Sequence, residues 1–401
     1  MTITTAQVVS DIAESMPTHV YFSSPEYADR RLRVQGAMAQ RGIDCLLITR
    51  GEDQYWLSGF DSSAASVFHV LFFTSDGQIL HLSRSADLAN IAFTSQCRDV
   101  RVFDESYGNS RGEAIKDVLR HFVLAGKRVG VESDSLGMPL ALYTELRGLL
   151  DGWCEIVDSS ELIRELRRVK SVEELQYLRR AGEILNQASQ AAIDLTRPGV
   201  FEGDLMGEFQ RVVSSADGET FAGFPLGAGG RALLVRRVAG RGYVSENDQV
   251  LFEPAASYRH YCAASMFTVL TGPVIDPRYF SMHAACLEAL HRVQDTIKPG
   301  NTFGDLYSAH RATVAEHGYN HAALNACGYS MGAVWTTGTW MEPPMIAANV
   351  PLVLEERMTI FTHMILTDRS AGLAMSLGET VEVGPDGPIA ISTVPCEPII
   401  K

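Results

Sequence analysis

The residues best placed to do chemistry cluster around Glu253. It ends the apolar run Val250–Phe252, where a core strand would ordinarily carry another hydrophobe. A carboxylate there has a partner or does chemistry, because burying it unpaired is expensive; the alternative is a strand-end residue in solvent. Downstream lies an aromatic and histidine-bearing corner, Tyr258–Tyr261, followed by Cys262 and a second apolar run, Met266–Leu270. Turn residues flank the whole stretch (Asn247-Asp248 and Thr271-Gly272-Pro273), so the local expectation is a β-hairpin or bent strand pair. Cys262 has a packing alternative, since a free cysteine behaves as a small buried hydrophobe. Far along the chain, His363 interrupts the apolar pattern Ile360, Phe361, Ile365, Leu366. A histidine at that place faces a pocket, pairs with a buried acid, or is a satisfied core residue.

These residues need a scaffold, and length and composition bound it. The 401 residues imply two domains, since single cores rarely grow beyond roughly 250–300 residues. A net charge of −14 and the absence of any basic cluster exclude nucleic acid as a partner. The run Arg164–Arg168 alternates with acidic and apolar residues at helical spacing and reads as a solvated helix face. No apolar run reaches the roughly 18 residues that a membrane span needs, and the N-terminal stretch lacks the pattern of a signal peptide. Seven scattered cysteines without CxxC spacing are expected to be free thiols in a reducing cytoplasm.

Residues 26–125 alternate helical and strand signals. Glu26–Arg41 is amphipathic, Ile43–Thr49 reads as a buried strand, and Val67–Thr74 with Ile79–Leu82 flanks a Ser75-Asp76-Gly77 turn. Tyr55–Ser66, rich in aromatic, Gly and Ser residues without a period, reads as a shaped loop able to carry function. A helix over Arg111–Ala125 and a strand over Arg128–Glu132 complete an α/β layer, expected to span residues 1–160. Residues 161–401 then form an α+β domain. Its Ser160–Leu195 segment is helical, with Ser171 and Glu174 spaced as a capping box. Pro198-Gly199 with Gly203-Asp204-Leu205 is echoed by Pro299-Gly300 with Gly304-Asp305-Leu306. Each copy follows one long helix and opens another, which points to an internal duplication. Leu324–Gly332, a Trp/Pro-rich loop Trp335–Met345, and strands Met358–Leu366 and Gly378–Val383 close the chain.

Taken together, the α/β N-terminal domain, the spacing of Arg167, Lys170, Ser171 and Glu174, the paired Pro-Gly turns and the final Gly-Glu-Thr-Val strand resemble the pita-bread family of creatinase, methionine aminopeptidase and Xaa-Pro aminopeptidase. The resemblance covers most of the chain and is nearest to the creatinase and ectoine hydrolase branch. In the family's metallopeptidases two Asp, one His and two Glu hold two metal ions that activate water. At those positions this chain carries Glu253, Ala264, Tyr329, His363 and Gly378. One carboxylate of the five is left, so no metal and no other cofactor is expected.

Creatinase and ectoine hydrolase work without that centre, on C–N bonds of small guanidino or cyclic amidine compounds. The resemblance therefore implies a metal-independent hydrolase of a small cationic or zwitterionic nitrogen compound, with room for a lyase, isomerase or cyclase on the same pocket. Glu253, His363, His260 and Tyr329 are its expected catalytic residues. Arg236 aligns with the histidine of creatinase; an arginine cannot serve as base there but can clamp a carboxylate, while a solvated Arg236-Arg237 pair is the alternative. Tyr261, Cys262, Trp340, Glu342 and Glu379 are expected to line the substrate, Trp340 having core packing as its alternative. Creatinase-like proteins are homodimers in which one N-terminal domain covers the partner's site, which would bring Phe60 to Ser63, Ser62 included, to the partner's substrate. Two rival readings are an Xaa-Pro peptidase with unusual ligands (Glu253, His260, His363, Glu379) and a small-molecule-binding protein that has lost turnover.

Overall fold

The computed structural model describes residues 9, 11–12, 14–62, 67–221, 223–236, 240–335 and 340–401. Ser63 and Arg237, singled out above, lie outside them. The chain forms two compact units, Met1–Arg167 and Arg168–Lys401, of α/β and α+β type. The division falls later than the expected 160/161. The helix Leu162–Arg168 packs Leu162 and Ile163 into the core beneath the first sheet and so goes with the first unit.

In the first unit the elements are α1 Ser24–Arg41, β1 Cys45–Ile48, α2 Gly51–Ser58, β2 Val70–Thr74, β3 Ile79–Ser83, α3 Leu88–Thr94, β4 Val100–Val102, α4 Arg111–His121, β5 Arg128–Val131, α5 Leu140–Leu150, β6 Glu155–Asp158 and α6 Leu162–Arg168. The six strands lie in the order β4-β3-β2-β1-β5-β6. Strand β1 is fully buried because both faces of the sheet are covered: Cys45 and Leu47 face one core, Leu46 and Ile48 the other, the alternation a strand imposes. The shaped loop expected at Tyr55–Ser66 begins instead as helix α2, capped by Gly59 with φ +85°. All residues of α2 except Glu52 are buried. A helix buried on every side has no apolar stripe, so its period is invisible in the sequence.

The second unit comprises α7 Val172–Leu195, α8 Glu202–Ser215, β7 Leu226–Ala228, β8 Asp248–Phe252, β9 Ala255–Tyr258, β10 Tyr261–Thr271, α9 Pro277–Thr296, α10 Phe303–Glu316, β11 Ala326–Ser330, β12 Glu342–Ala347, β13 Thr359–Asp368, β14 Leu373–Val383, β15 Pro388–Ala390 and β16 Ile399–Ile400. Its ten-stranded sheet runs β12-β11-β13-β14-β10-β8-β7, with β15 on β14 and both β9 and β16 on β10. The two helix pairs, α7 with α8 and α9 with α10, are the elements that follow and precede the repeated Pro-Gly turns. The Ser171/Glu174 capping box forms, and Thr302 with Asp305 makes a second one at α10. The Trp/Pro-rich stretch contains a strand, β12, that joins the sheet beside β11. It was masked by its two prolines, which fit only an edge strand, and an edge is where β12 lies.

Strand alternation gives this sheet two unlike faces. Ile360, Met364 and Leu366 of β13 and Ile346 of β12 pack with Leu290, Phe303 and Leu306 of α9 and α10. The intervening residues His363, Ile365, Met345 and Ala347 turn the other way and line a cavity.

Candidate active site

The cavity encloses about 660 Å³ within the second unit. Glu253 reaches it from the end of β8, its amide donating to the Pro225 carbonyl at 2.9 Å. Tyr329 enters from β11, His363 from β13, Trp340 from just before β12, and Arg236 from the turn after Leu234, where its far side is exposed. Five residues named from the sequence thus meet in one place.

Their polar atoms are connected. The Trp340 Nε1–H donates to the Tyr329 hydroxyl oxygen at 2.8 Å. The tyrosine proton is then free for another acceptor, and the Glu253 carboxyl lies close enough to interact with it. Burial pushes the Glu253 carboxyl up to about 8, against smaller opposing effects of the Arg236 charge and the tyrosine bond. Glu253 therefore holds a proton at neutral pH. The Tyr329 phenol is pushed well above its ordinary range by burial and by Glu253, so it stays a hydrogen-bond donor. His363 is 5% exposed, and burial lowers it to about 3, with the charges of His310 and Arg236 acting the same way. It is a neutral imidazole whose Nδ1 has no partner among the described residues.

His310 was missed by sequence reasoning. It lies on α10 between Leu306 and Val314 at fourfold spacing, a pattern that reads only as core. The cavity's apolar lining, Leu324, Ala326, Met345, Ala347 and Ile365 among it, was also missed; the signal was the alternation of Met345, Ile346 and Ala347, hidden once the segment was read as a loop.

The remaining expected site residues lie elsewhere. His260 forms the β9–β10 turn with Arg259, both at positive φ; its amide donates to Glu219 at 2.9 Å, and its ring lies 5.9 Å from that of Trp335. It does not line the cavity. Tyr261 is buried beside it, its hydroxyl donating to the Glu174 carboxylate at 2.6 Å, so it ties the capping box of α7 to the sheet. Cys262 is a packed thiol that burial drives upward and out of reach of ionisation. Side chains alternate along β10, so Tyr261 and Ala263 cannot share a face with Cys262. Glu342 is buried against Gly332, where an added Cβ would come within 2.8 Å of its carboxylate. Glu379 is a brace: it accepts from Gln294 Nε2 at 2.7 Å and from the Val394 amide at 2.8 Å. Phe60 and Ser62 belong to the first unit. The Phe60 ring is wholly enclosed there, 4.8 Å from the His81 ring and 5.3 Å from that of His69.

The side chains do not fit a two-metal centre. Ala264 and Gly378 offer no donor, and the backbone of Ala264 is taken up by Thr380 and Ser392. Gly378 pairs directly with His363 across β13 and β14, and a Cβ on it would meet the Phe361 ring at 2.8 Å and the Thr362 carbonyl at 3.0 Å. The donors left are one carboxyl, one imidazole and one phenol, whereas hard divalent ions need several charged oxygens. Among the described residues no group of three or more His, Cys, Asp or Glu is arranged around a common point.

The fold and this geometry have known counterparts. The profile described as "Metallopeptidase family M24" matches residues 176–385, and that of the "Creatinase/Prolidase N-terminal domain" matches residues 30–169. Ectoine hydrolase of Halomonas elongata is 26% identical over 84% of this chain and 88% of its own length. An Xaa-Pro dipeptidase of Pyrococcus horikoshii is 24% identical over 80% of this chain and 85% of its own. Among solved structures, the X-Pro aminopeptidase of Thermotoga maritima superposes with a TM-score of 0.81 at 19% identity, covering 92% of this chain and 99% of that one, which speaks for the fold. The match over more than half of the chain places this protein in metallopeptidase family M24, behind an N-terminal domain of the creatinase/prolidase kind.

Proposed function

We propose that this M24-family chain hydrolyses a non-peptide C–N bond in a small zwitterionic nitrogen compound, without a metal ion. The observation that carries the reading is a single cavity in which a buried carboxyl, raised to about 8, sits within the field of an arginine. Arg236 suits a substrate carboxylate, which it can hold bidentately. Glu253 suits a delocalised cation such as an amidinium or guanidinium, whose charge displaces the proton that burial keeps on the empty site. The name of the Halomonas elongata relative, ectoine hydrolase, agrees with such a substrate class.

The chemistry follows from these groups. The ionised Glu253 accepts a proton from a water molecule as the water oxygen bonds to the central carbon of the cation. It passes that proton to one nitrogen, and the C–N electron pair leaves with this nitrogen. Glu253, ionised again by that transfer, takes the proton of the new hydroxyl as the carbonyl forms and hands it to the departing amine, so the products are an amide or urea and an ammonium, and Glu253 ends as the carboxylate. Tyr329, fixed by Trp340, donates to charge that develops on the oxygen. Neutral His363 orients the nucleophilic water by accepting one of its hydrogens.

The test is turnover of cyclic amidinium carboxylates and guanidino carboxylates, followed as product that has gained one water. Activity is expected to survive prolonged chelation and to fall at least about 100-fold in Glu253→Gln, the range of a lost acid–base group. Activity that vanishes with chelator and returns with manganese, or a fully active Glu253→Gln, would overturn the proposal.

A further inference from the structure

The cavity is larger than the head group just assigned to it. A cavity of about 660 Å³ lies in the range that takes drug-sized ligands, more than a zwitterionic head of about ten heavy atoms needs. The surplus has a definite place. Strands β11 and β13 are antiparallel, with Gly328 opposite Thr362 and Tyr329 opposite Phe361. Moving forward along β13 past His363 is therefore moving backward along β11 past Tyr329. The next cavity residues in that direction are Ile365 on β13 and Ala326 on β11, and Ala326 pairs with Ala347 on β12. Leu324 continues the same wall, and Met345 stands opposite Tyr329. Asn325, exposed to solvent, is the one polar residue of the lining there, and none is charged.

Two to three residues of strand put this wall roughly 7–10 Å from the His363 and Tyr329 side chains. The two alanines are what keeps it open, since larger residues on a paired β11–β12 position would fill the space.

We propose that the substrate carries, besides its zwitterionic head, an apolar group attached near the reacting carbon that lies along Ala326, Ala347 and Ile365. This inference rests on the function proposed above and narrows its substrate class. It distinguishes an acyl- or alkyl-extended amidine from a bare one. The group is held by loss of apolar surface from water, without a directional contact.

The test uses the full chain and three cyclic amidinium carboxylates bearing methyl, propyl or pentyl on the amidine carbon. Burial of each methylene raises kcat/KM by about fourfold, so propyl should exceed methyl by roughly tenfold or more, chiefly through KM. Ala347→Phe fills the wall and is expected to reduce that advantage to less than about threefold, with Ala347→Leu giving a smaller loss should the larger residue disturb folding. Equal kcat/KM for all three compounds in the wild type would overturn this inference while leaving the hydrolase reading intact. So would an undiminished propyl advantage in both variants. If no homologue is bound or hydrolysed, the function proposed above fails and this inference falls with it.

Discussion

Replacing Glu253 by Gln should stabilise the protein in mildly alkaline solution while leaving it little changed in acid. The carboxyl ionises near its ordinary 4.5 in the unfolded chain but near 8 in the folded one, because burial disfavours its charge. Below pH 4.5 both states hold the proton and the group contributes no pH dependence. Between about 4.5 and 8 the unfolded chain has released a proton that the folded chain retains, so stability falls by about 1.4 kcal/mol per pH unit. Above 8 the loss is complete, at no more than about 5 kcal/mol, since one pKa unit corresponds to about 1.4 kcal/mol. Partial access of water to Glu253 from the cavity reduces that ceiling, and a difference of roughly 2–4 kcal/mol at pH 9 is expected. Glutamine keeps the shape and can still accept from the Tyr329 hydroxyl, so the substitution removes the titrating group and little else. Urea unfolding from pH 5 to 9, followed through Trp340 and the other tryptophans, gives the difference between wild type and Glu253→Gln at each pH. A difference that widens steadily with pH supports the assignment. A flat difference across that range would show that Glu253 ionises normally, and the account of the site as a proton-holding carboxyl would be wrong.

Two further outcomes follow from the same geometry. Binding of a cationic substrate at pH 7 should release about 0.9 proton per site, the fraction of a group at about 8 that is protonated there; calorimetry in buffers of different ionisation enthalpy measures it, and no release would mean that the cation does not meet Glu253. Tyr261→Phe should cost about 1.5–3 kcal/mol of stability, the worth of a hydrogen bond to a charged group, because Glu174 Oε1 loses the tyrosine hydroxyl while Oε2 keeps the Ser171 amide. The same variant should leave KM unchanged, and a large rise in KM would return Tyr261 to the substrate site.

What could be read from the sequence followed from how local each signal is. The Ser171–Glu174 cap, the Ser75-Asp76-Gly77 turn and the strands around Glu253 and His363 are written in neighbouring residues, and they formed where expected. Helix α2 and strand β12 were lost because their context is tertiary: one is buried all round and the other is an edge strand with two prolines. At the site, Glu253 and His363 were conspicuous as polar residues in apolar runs, a contrast visible along the chain. His260, Tyr261 and Cys262 lie within ten residues of Glu253, yet the hairpin carries them away from the cavity. Closeness in sequence says little across a turn, where direction reverses and side chains alternate between faces. Glu379 looked chemical for the same reason as Glu253, and only its two partners, Gln294 and the Val394 amide, mark it as a brace.

The pairing of Gly378 with His363 bears on how such a site can change over generations. A side chain at 378 collides first with the Phe361 ring and then with the backbone of Thr362. Placing a carboxylate there by one mutation would disturb the β13–β14 pair, while shrinking Phe361 first would open a void beside the site. Neither change is free alone, so position 378 is coupled to its neighbours: a side chain enters there only together with a smaller residue at 361.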